Sequence, residues 1–256
     1  MWKNLRVLFL LLVLAAVALH TWLDRIQTQS WQQTLWVGIF PLNGDGTLRT
    51  QRYVETLTAQ DFAPIETFFA REARRYGLPL RQPVHIELYP PGTELPPALP
   101  RGAGLLRAAW WSLRLRWYAN RAGRFPGHAP ARIRMFVLYH DPATLTRVPD
   151  SHGLQKGLVG VVHVFADHAM TGSNDIVIAH ELLHTLGASD KYDPATGAPL
   201  FPIGFGNRTQ EPRFPQSRAE IMAGRRALSA TEWQMPHSLD DVVVGPETAL
   251  EIRWTH

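Results

Sequence analysis

The sequence predicts an α+β fold, in which helices pack on a mixed twisted sheet. Apolar residues make up 45% of the 256-residue chain, enough for a substantial core in one domain or in two lobes around a cleft. Short apolar runs bounded by turn residues indicate strands, and segments with a 3.6-residue apolar period indicate helices. The order is strand, helix, strand, helix, strand, strand, helix, which is typical of α+β or α/β folds.

The predicted strands end in recognisable turns. The first covers residues 34–43 and runs into Asn-Gly-Asp-Gly at residues 43–46, which is strong turn chemistry. Further strands are predicted at residues 83–90, 131–141 and 156–167. One helix is predicted from Asp61 to Gly77, with Ile65, Phe68, Phe69 and Ala73 on one face. A short C-terminal helix is predicted at residues 229–235.

The helix predicted at residues 104–123 has two stripes. The apolar stripe consists of Leu106, Trp110, Leu113 and Trp117, and the basic stripe of Arg107, Arg114 and Arg121. We expect the apolar stripe to pack on the sheet and the arginines to face solvent. The alternative is a helix lying on a bilayer surface, because tryptophan and arginine on one amphipathic helix also suit a membrane interface.

Composition limits the chemistry of the chain. There is no cysteine, so disulfides, thiolate catalysis and cysteine-based zinc sites are excluded. Any metal must therefore bind His, Asp or Glu. The formal charge of +4 is diffuse, and no nucleic-acid-binding motif accompanies it, so we expect no nucleic-acid partner.

The N-terminus predicts export. Lys3 and Arg6 precede an apolar run over residues 7–19, as in a signal whose positive end stays inside. A cleaved signal peptide would use the small residues at 16–18, whereas an uncleaved anchor would extend the run to Leu23. We favour the anchor. In either case the rest of the chain lies outside the cytoplasm, in the periplasm or the extracellular space.

These observations divide the chain into three parts. Residues 1–23 are expected to form the signal anchor or signal peptide, a single hydrophobic helix that makes the membrane a partner. Residues 24–33 are polar and are expected to be a linker. Residues 34–256 are expected to form the functional domain.

The segment that carries chemistry is His-Glu-Leu-Leu-His, at residues 180–184. A helix is predicted over residues 175–186, so His180 and His184 lie one turn apart on one face and can share a zinc ion. Glu181 lies beside them, within reach of a proton on a water at the metal. The rest of this helix is apolar almost all round, and burying two histidines and a carboxylate without a metal would be costly.

The pattern continues beyond the helix. Gly187 follows His184 by three residues, and Asp190 follows Gly187 by three. Glycine can adopt the left-handed conformation that ends a helix and turns the chain under the metal. Asp190 is then the candidate third ligand. Three protein ligands with one open position are typical of a catalytic zinc site.

The run from His180 to Asp190 resembles the extended zinc motif of the metzincin metallopeptidases. Most metzincins have His at the last position, whereas Asp is found in the snapalysin-like bacterial members. Residues 219–224 resemble the family's Met-turn, with Met222 as its methionine. The resemblance implies a zinc metallopeptidase domain with one catalytic Zn²⁺ ion and a protein or peptide substrate. It also implies an upper edge strand that aligns the substrate, expected at residues 157–166.

Some features depart from the family or stay open. No tyrosine follows Met222 directly, and Tyr192 is the nearest one, either polarising a substrate carbonyl or packing. Glu211 and Glu220 are alternative third ligands, at a spacing that resembles the gluzincins. The Gly- and Pro-rich segment 191–218 is either a wall of the specificity pocket or a packed surface loop.

The expected function is zinc-dependent endopeptidase activity outside the cytoplasm, with Glu181 as the general base. The alternative is a non-catalytic, membrane-anchored extracytoplasmic module with a structural metal site. Glu181 distinguishes the two, because a structural site has no need of this carboxylate.

Overall fold

A computed structural model of the chain describes residues 6–7, 11–12 and 28–255, except for 101, 103, 124, 126, 129–130 and 156. The predicted anchor or signal peptide at residues 1–23 lies almost wholly outside this part. Among the described residues, no helix is both long and apolar enough to cross a bilayer.

The fold is α+β and is built on a five-stranded mixed sheet, as predicted. The strands are β1 (Leu35–Asn43), β2 (Val84–Leu88), β3 (Ile133–His140), β4 (His152–Leu154) and β5 (Val159–Phe165). Their spatial order is β2-β1-β3-β5-β4, and all neighbours are parallel except β4, which pairs antiparallel with β5. The predicted strands match β1, β2, β3 and β5.

The expected edge strand at residues 157–166 is wrong, because β5 lies inside the sheet and the short strand β4 forms the edge. Strand β4 has only three residues, with Gly153 at its centre, and so has no apolar alternation that would reveal it.

Both faces of the sheet are buried. Val37 and Ile39 of β1 belong to one core cluster, whereas Phe40 and Leu42 belong to another on the opposite face. Successive side chains of a strand point to opposite faces, so a sheet covered on both sides needs nearly continuous apolar strands. This requirement accounts for the long apolar runs in β1, β3 and β5.

Within residues 35–255, as far as the structure describes them, five α-helices surround the sheet. They are α1 (Leu48–Thr56), α2 (Ala63–Arg75), α3 (Leu105–Ala122), α4 (Thr171–Thr185) and α5 (Pro246–Glu251). Helix α4 begins four residues before the predicted start at Asp175, because a 3₁₀ turn (His168–Met170) leads directly into it. The side chain of Asp167 caps that turn by accepting a hydrogen bond from the Ala169 N–H.

The packing predicted for α3 is wrong. Its buried face consists of Trp111, Leu115, Tyr118 and Ala119, which join the core cluster on one face of the sheet. Consequently the stripe expected to pack on the sheet is exposed: Leu106, Trp110, Leu113 and Trp117. The helix is apolar on two sides, and hydrogen bonds from Trp111 to the Pro97 carbonyl and from Tyr118 to the Glu94 carbonyl hold the buried one in place.

The C-terminal region consists of short pairings that follow a long loop. β6 (Ala219–Glu220) pairs with β9 (Val242–Val243), and β7 (Arg226–Ala227) pairs with β8 (Trp233–Gln234). The helix predicted at residues 229–235 is therefore wrong. The Leu228 N–H donates to the Glu232 carbonyl, which closes a tight turn between β7 and β8 in place of a helical turn.

The described end of the expected linker, residues 28–33, packs on the domain. Thr28, Gln29 and Trp31 are buried there. The Trp31 indole donates to the Ile252 carbonyl at 2.7 Å, and the Gln29 amide donates to the Leu186 carbonyl just beyond α4.

Candidate metal centre

Helix α4 brings two imidazoles and a carboxylate together. The rings of His180 and His184 are 4.7 Å apart between centroids, as expected for residues one turn apart on one face. Ligand atoms of His180, Glu181 and His184 all lie within 4.8 Å of one another. The helix is buried because apolar side chains surround these three, including Ile178, Ala179, Leu182 and Leu183.

Backbone carbonyls orient both rings. Nδ1 of His180 lies 2.9 Å from the Ile221 carbonyl oxygen, and Nδ1 of His184 lies 2.8 Å from the Ala188 carbonyl oxygen. A carbonyl can only accept, so each Nδ1 carries the proton and donates. The two Nε2 atoms are thereby fixed in the direction of a shared point, as metal-binding histidines commonly are.

Gly187 turns the chain back toward the histidines. Its φ is 99°, the left-handed conformation predicted for this position. The Ala188 N–H donates to the Leu183 carbonyl, which closes the end of α4. A Cβ atom at Gly187 would also crowd the side-chain amides of Gln29 and Gln155, which are flexible ends that can shift. The backbone conformation is therefore what favours glycine here.

Asp190 reaches the histidine pair. Its Oδ1 atom lies 3.2 Å from Nε2 of His180 and 3.2 Å from Nε2 of His184. In a tetrahedral zinc site with bonds of about 2.0–2.2 Å, neighbouring ligand atoms are separated by about 3.3–3.5 Å. The three side chains therefore meet at nearly the spacing that a zinc ion requires.

The two Nε2 atoms and the Asp190 carboxylate together favour a bound cation. Because both Nδ1 atoms already donate to carbonyls, a neutral ring presents a lone pair at Nε2, which would repel the Asp190 carboxylate. Burial disfavours the charged forms, but the hydrogen bonds and charges of the partners prevail: the pKa of His180 is raised and that of Asp190 is held well below its ordinary value. Two imidazoles and a carboxylate are also a common zinc donor set.

Glu181 has one carboxylate oxygen without a hydrogen-bond partner among the described residues. Its side chain is 6% exposed, and the oxygen in question is Oε2. Burial raises the pKa of Glu181, while the charges of both histidines and a hydrogen bond from the Gly153 backbone lower it by less. A buried carboxylate oxygen without a partner is rare in a purely structural role.

A set of contacts that the sequence analysis missed holds the loop carrying Asp190. The Lys191 ammonium, 2% exposed, contacts the Ser189 carbonyl at 2.8 Å, the Ser189 hydroxyl at 2.7 Å and the Glu251 carboxylate at 2.8 Å. Glu251 also accepts hydrogen bonds from the Ser189 N–H and hydroxyl. Burial disfavours its ionisation, but these contacts lower the pKa of Glu251. No local sequence pattern links residue 251 to residue 191.

Residues 219–224, where a Met-turn is predicted, contact His180 and the residue after Asp190. Met222 is fully buried, its carbonyl accepts the Lys191 N–H at 3.0 Å, and the adjacent Ile221 carbonyl holds His180. Glu220 stabilises the turn through three hydrogen bonds: Gly245 N–H at 3.0 Å, the Thr248 hydroxyl at 2.7 Å and Ala223 N–H at 2.9 Å.

The alternative third ligands do not join the histidine pair. The carboxylate of Glu220 is occupied by three hydrogen bonds from Ala223, Gly245 and Thr248. Glu211 is exposed on the long loop. Asp190 is therefore the carboxylate that the fold brings to the histidines.

The loop at residues 191–218 packs on itself. Phe205 is buried and contacts the rings of Phe201 and Phe214, and the Arg213 guanidinium lies 4.0 Å above the Phe201 ring. Tyr192, at the start of this loop, is partly buried. Burial and the negative charges of Asp190 and Glu181 raise its pKa, so its hydroxyl remains protonated near the site.

A further histidine, His152, lies on the edge strand β4, and a cavity lies on the opposite face of the sheet. His152 on β4 was not predicted as a site residue; burial lowers its pKa, the negative charge of Asp150 raises it, and the positive charge of His184 lowers it further. A cavity of about 320 Å³ lies on the other face of the sheet, lined by Phe40, Tyr118 and Phe136 among others, and includes none of the site residues.

No protein-family model matches this chain, and no curated protein matches it significantly.

Proposed function

We propose that the chain is a zinc-dependent endopeptidase of the metzincin type, acting outside the cytoplasm. The observation that carries this proposal is the convergence of three donor atoms: Oδ1 of Asp190 lies 3.2 Å from Nε2 of both His180 and His184. The carboxylate of Glu181, whose Oε2 atom has no hydrogen-bond partner among the described residues, lies beside them.

The residues present fit zinc. His180, His184 and Asp190 would hold the ion, and the carbonyls of Ile221 and Ala188 would fix the rings through their Nδ1 atoms. When bound in such a site, zinc polarises a carbonyl group and makes a water molecule more acidic.

Glu181 is the general base in this proposal. Its carboxylate takes a proton from the attacking water as the peptide carbonyl carbon is attacked, and it then passes that proton to the leaving amine. Burial raises the pKa of Glu181 toward neutral pH, which favours both uptake and release of the proton. Burial and the charges of Asp190 and Glu181 raise the pKa of Tyr192, and its protonated hydroxyl is a candidate hydrogen-bond donor to a substrate carbonyl.

Two further observations support the metzincin assignment. Met222 is fully buried in a turn whose neighbouring carbonyl holds His180, as the resemblance to a Met-turn implies. Strand β4 is an antiparallel edge strand that packs against α4, so an extended peptide could pair with it beside Glu181.

The alternative is a non-catalytic module in which the same residues hold a structural metal. Structural zinc sites are closed by four protein ligands. Here three candidate ligands converge, and Glu181 is buried next to them with one carboxylate oxygen, Oε2, that has no hydrogen-bond partner among the described residues. These two features favour catalysis.

The test compares the full-length protein with Glu181→Gln, with zinc content and cleavage of an unfolded protein such as casein measured in parallel. We expect Glu181→Gln to retain one zinc ion per chain and to lose activity by roughly 10²–10⁴-fold, the contribution of a general base. Glu55→Gln, an exposed carboxylate on α1 that accepts a hydrogen bond from the Gln51 amide, serves as the control and should keep full activity. Undiminished cleavage by Glu181→Gln would refute the assigned role.

A further inference from the structure

The outward face of α3 is apolar and uncovered. Four large side chains project from it, with exposed fractions of 88% for Leu106, 65% for Trp110, 52% for Leu113 and 65% for Trp117. Positions 106, 110, 113 and 117 follow the helical period, so these side chains form one continuous stripe. Contiguous exposed apolar surface of this kind usually marks an interaction site.

The stripe belongs to a helix that is firmly attached to the domain. The opposite face of α3 carries Trp111, Leu115 and Tyr118 into the core, and hydrogen bonds from Trp111 and Tyr118 tie it to the segment at residues 94–97. Turning the stripe inward would expose this second apolar face. The stripe therefore stays on the surface as long as α3 is packed on the domain.

Arginines line one side of the stripe. Arg107, Arg114 and Arg121 are spaced by seven residues, so they lie on one flank of the helix, and all three are exposed. Arg121 pairs with Glu94 and lies 4.8 Å above the Trp117 ring. Among the described residues, Arg107 and Arg114 have no carboxylate partner. This flank therefore presents positive charge beside exposed tryptophans.

We propose that the outward face of α3 docks on the surface of an anionic lipid bilayer. Tryptophan and leucine would enter the interfacial layer, while the arginines on the flank would contact phosphate groups. Basic residues next to an apolar stripe match the negative charge of such a surface. This proposal does not depend on peptidase activity.

The absence of cysteine in the chain allows a direct test, because each introduced cysteine is the only labelling position. A fluorophore is attached at Leu113→Cys in the full-length protein, which is reconstituted in vesicles of phosphatidylcholine and phosphatidylglycerol that contain a quencher-labelled lipid. The matched control is Leu48→Cys, an exposed leucine on α1, which covers the other face of the sheet. We expect strong quenching at position 113 and little at position 48.

The contribution of charge is tested with Arg107→Gln and Arg114→Gln. Each arginine near an anionic surface contributes about fivefold to the docked fraction, so the double variant should lower the ratio of docked to free molecules about 25-fold. Absent quenching at position 113, or equal quenching at positions 113 and 48, would overturn the proposal. Energy transfer between labels at position 113 of two copies would identify a second chain as the occupant of the stripe and would also overturn the proposal. Undiminished quenching in the double variant would show that the surface bound is not recognised by its negative charge, which would overturn the proposal as well.

Discussion

Lys191 and Glu251 form an ion pair at 2.8 Å although the lysine side chain is only 2% exposed. Lys191 immediately follows Asp190, and its ammonium also contacts both oxygens of Ser189. The pair joins the loop that carries the candidate third ligand to α5, the last helix of the chain. A site that needs Asp190 in one position therefore depends on contacts made 60 residues later.

Glu251→Gln tests this dependence. The variant leaves the buried Lys191 without a charged partner, so we expect the free energy of unfolding to fall by about 2–3 kcal/mol. Residues that hold metal ligands in place typically contribute about 10–100-fold to metal affinity. Because Glu251 holds the loop that carries Asp190, zinc affinity should fall by about tenfold or more. Urea denaturation and competition with a chelator measure the two effects.

Asp240→Asn is the control for this variant, because Asp240 is the 92% exposed partner of Arg71. It should change stability by less than about 0.5 kcal/mol. Wild-type zinc affinity in Glu251→Gln would show that the Lys191–Glu251 ion pair stabilises the fold without positioning Asp190.

Asp190→Ala tests the third ligand. Removing the carboxylate leaves two imidazoles, and zinc affinity should fall by roughly a hundredfold or more, as measured by chelator competition. The matched control is Asp193→Ala, because Asp193 accepts hydrogen bonds from Ala195 and Thr196 within its own turn. Equal zinc affinity in both variants would mean that the third ligand is another residue.

Asp175 on α4 makes stability depend on pH. Its side chain is 4% exposed, and burial, reinforced by the nearby charge of Asp61, raises its pKa from 3.8 to about 7. Between these values the folded chain keeps a proton that the unfolded chain has lost, so this group lowers stability progressively as pH rises from about 4 to 7. Asp175→Asn removes this penalty.

We therefore expect Asp175→Asn to unfold like the wild type at pH 4 and to be more stable at pH 8, by at most about 4 kcal/mol. Urea denaturation at both pH values measures the difference, and Asp240→Asn again serves as an exposed control. A gain of the same size at pH 4 and pH 8 would contradict a raised pKa for Asp175.

Gly153→Ala tests the contact between β4 and α4. A Cβ atom at position 153 would collide with the Glu181 carbonyl and with Cβ of His184, neither of which can move without displacing the helix. We expect the variant to lose activity by roughly tenfold or more, since small displacements at a reaction centre are costly. The control is Gly104→Ala, where a Cβ atom meets open space. Peptide cleavage by both variants, with circular dichroism to verify folding, measures the effect.

The sequence predicts those parts of the fold that depend on local patterns. Apolar runs predict β1, β3 and β5, and the turn at residues 43–46 forms as expected, with the Asn43 side chain accepting the Gly46 N–H. The left-handed conformation of Gly187 also follows from local chemistry, because only glycine adopts it without strain. The approach of Asp190 to the histidines is a direct consequence of this turn.

Features that depend on distant packing could not be predicted in this way. Helix α3 is apolar on two sides, and its periodicity does not reveal that Trp111 is buried while Trp110 is exposed. That choice depends on the Pro97 carbonyl, which accepts the Trp111 indole. Similarly, nothing near Lys191 in the sequence indicates its pairing with Glu251.

The carbonyl of Ile221, 41 residues after His180, orients one half of the histidine pair, and Glu251 secures the loop that completes it. A growing or partly translocated chain lacks both supports, even when all three donor residues have already emerged. Metal capture in the proposed geometry must therefore wait until the C-terminus has folded against the loop that follows α4. In an exported protein, the compartment that loads this site is the one in which the whole chain folds.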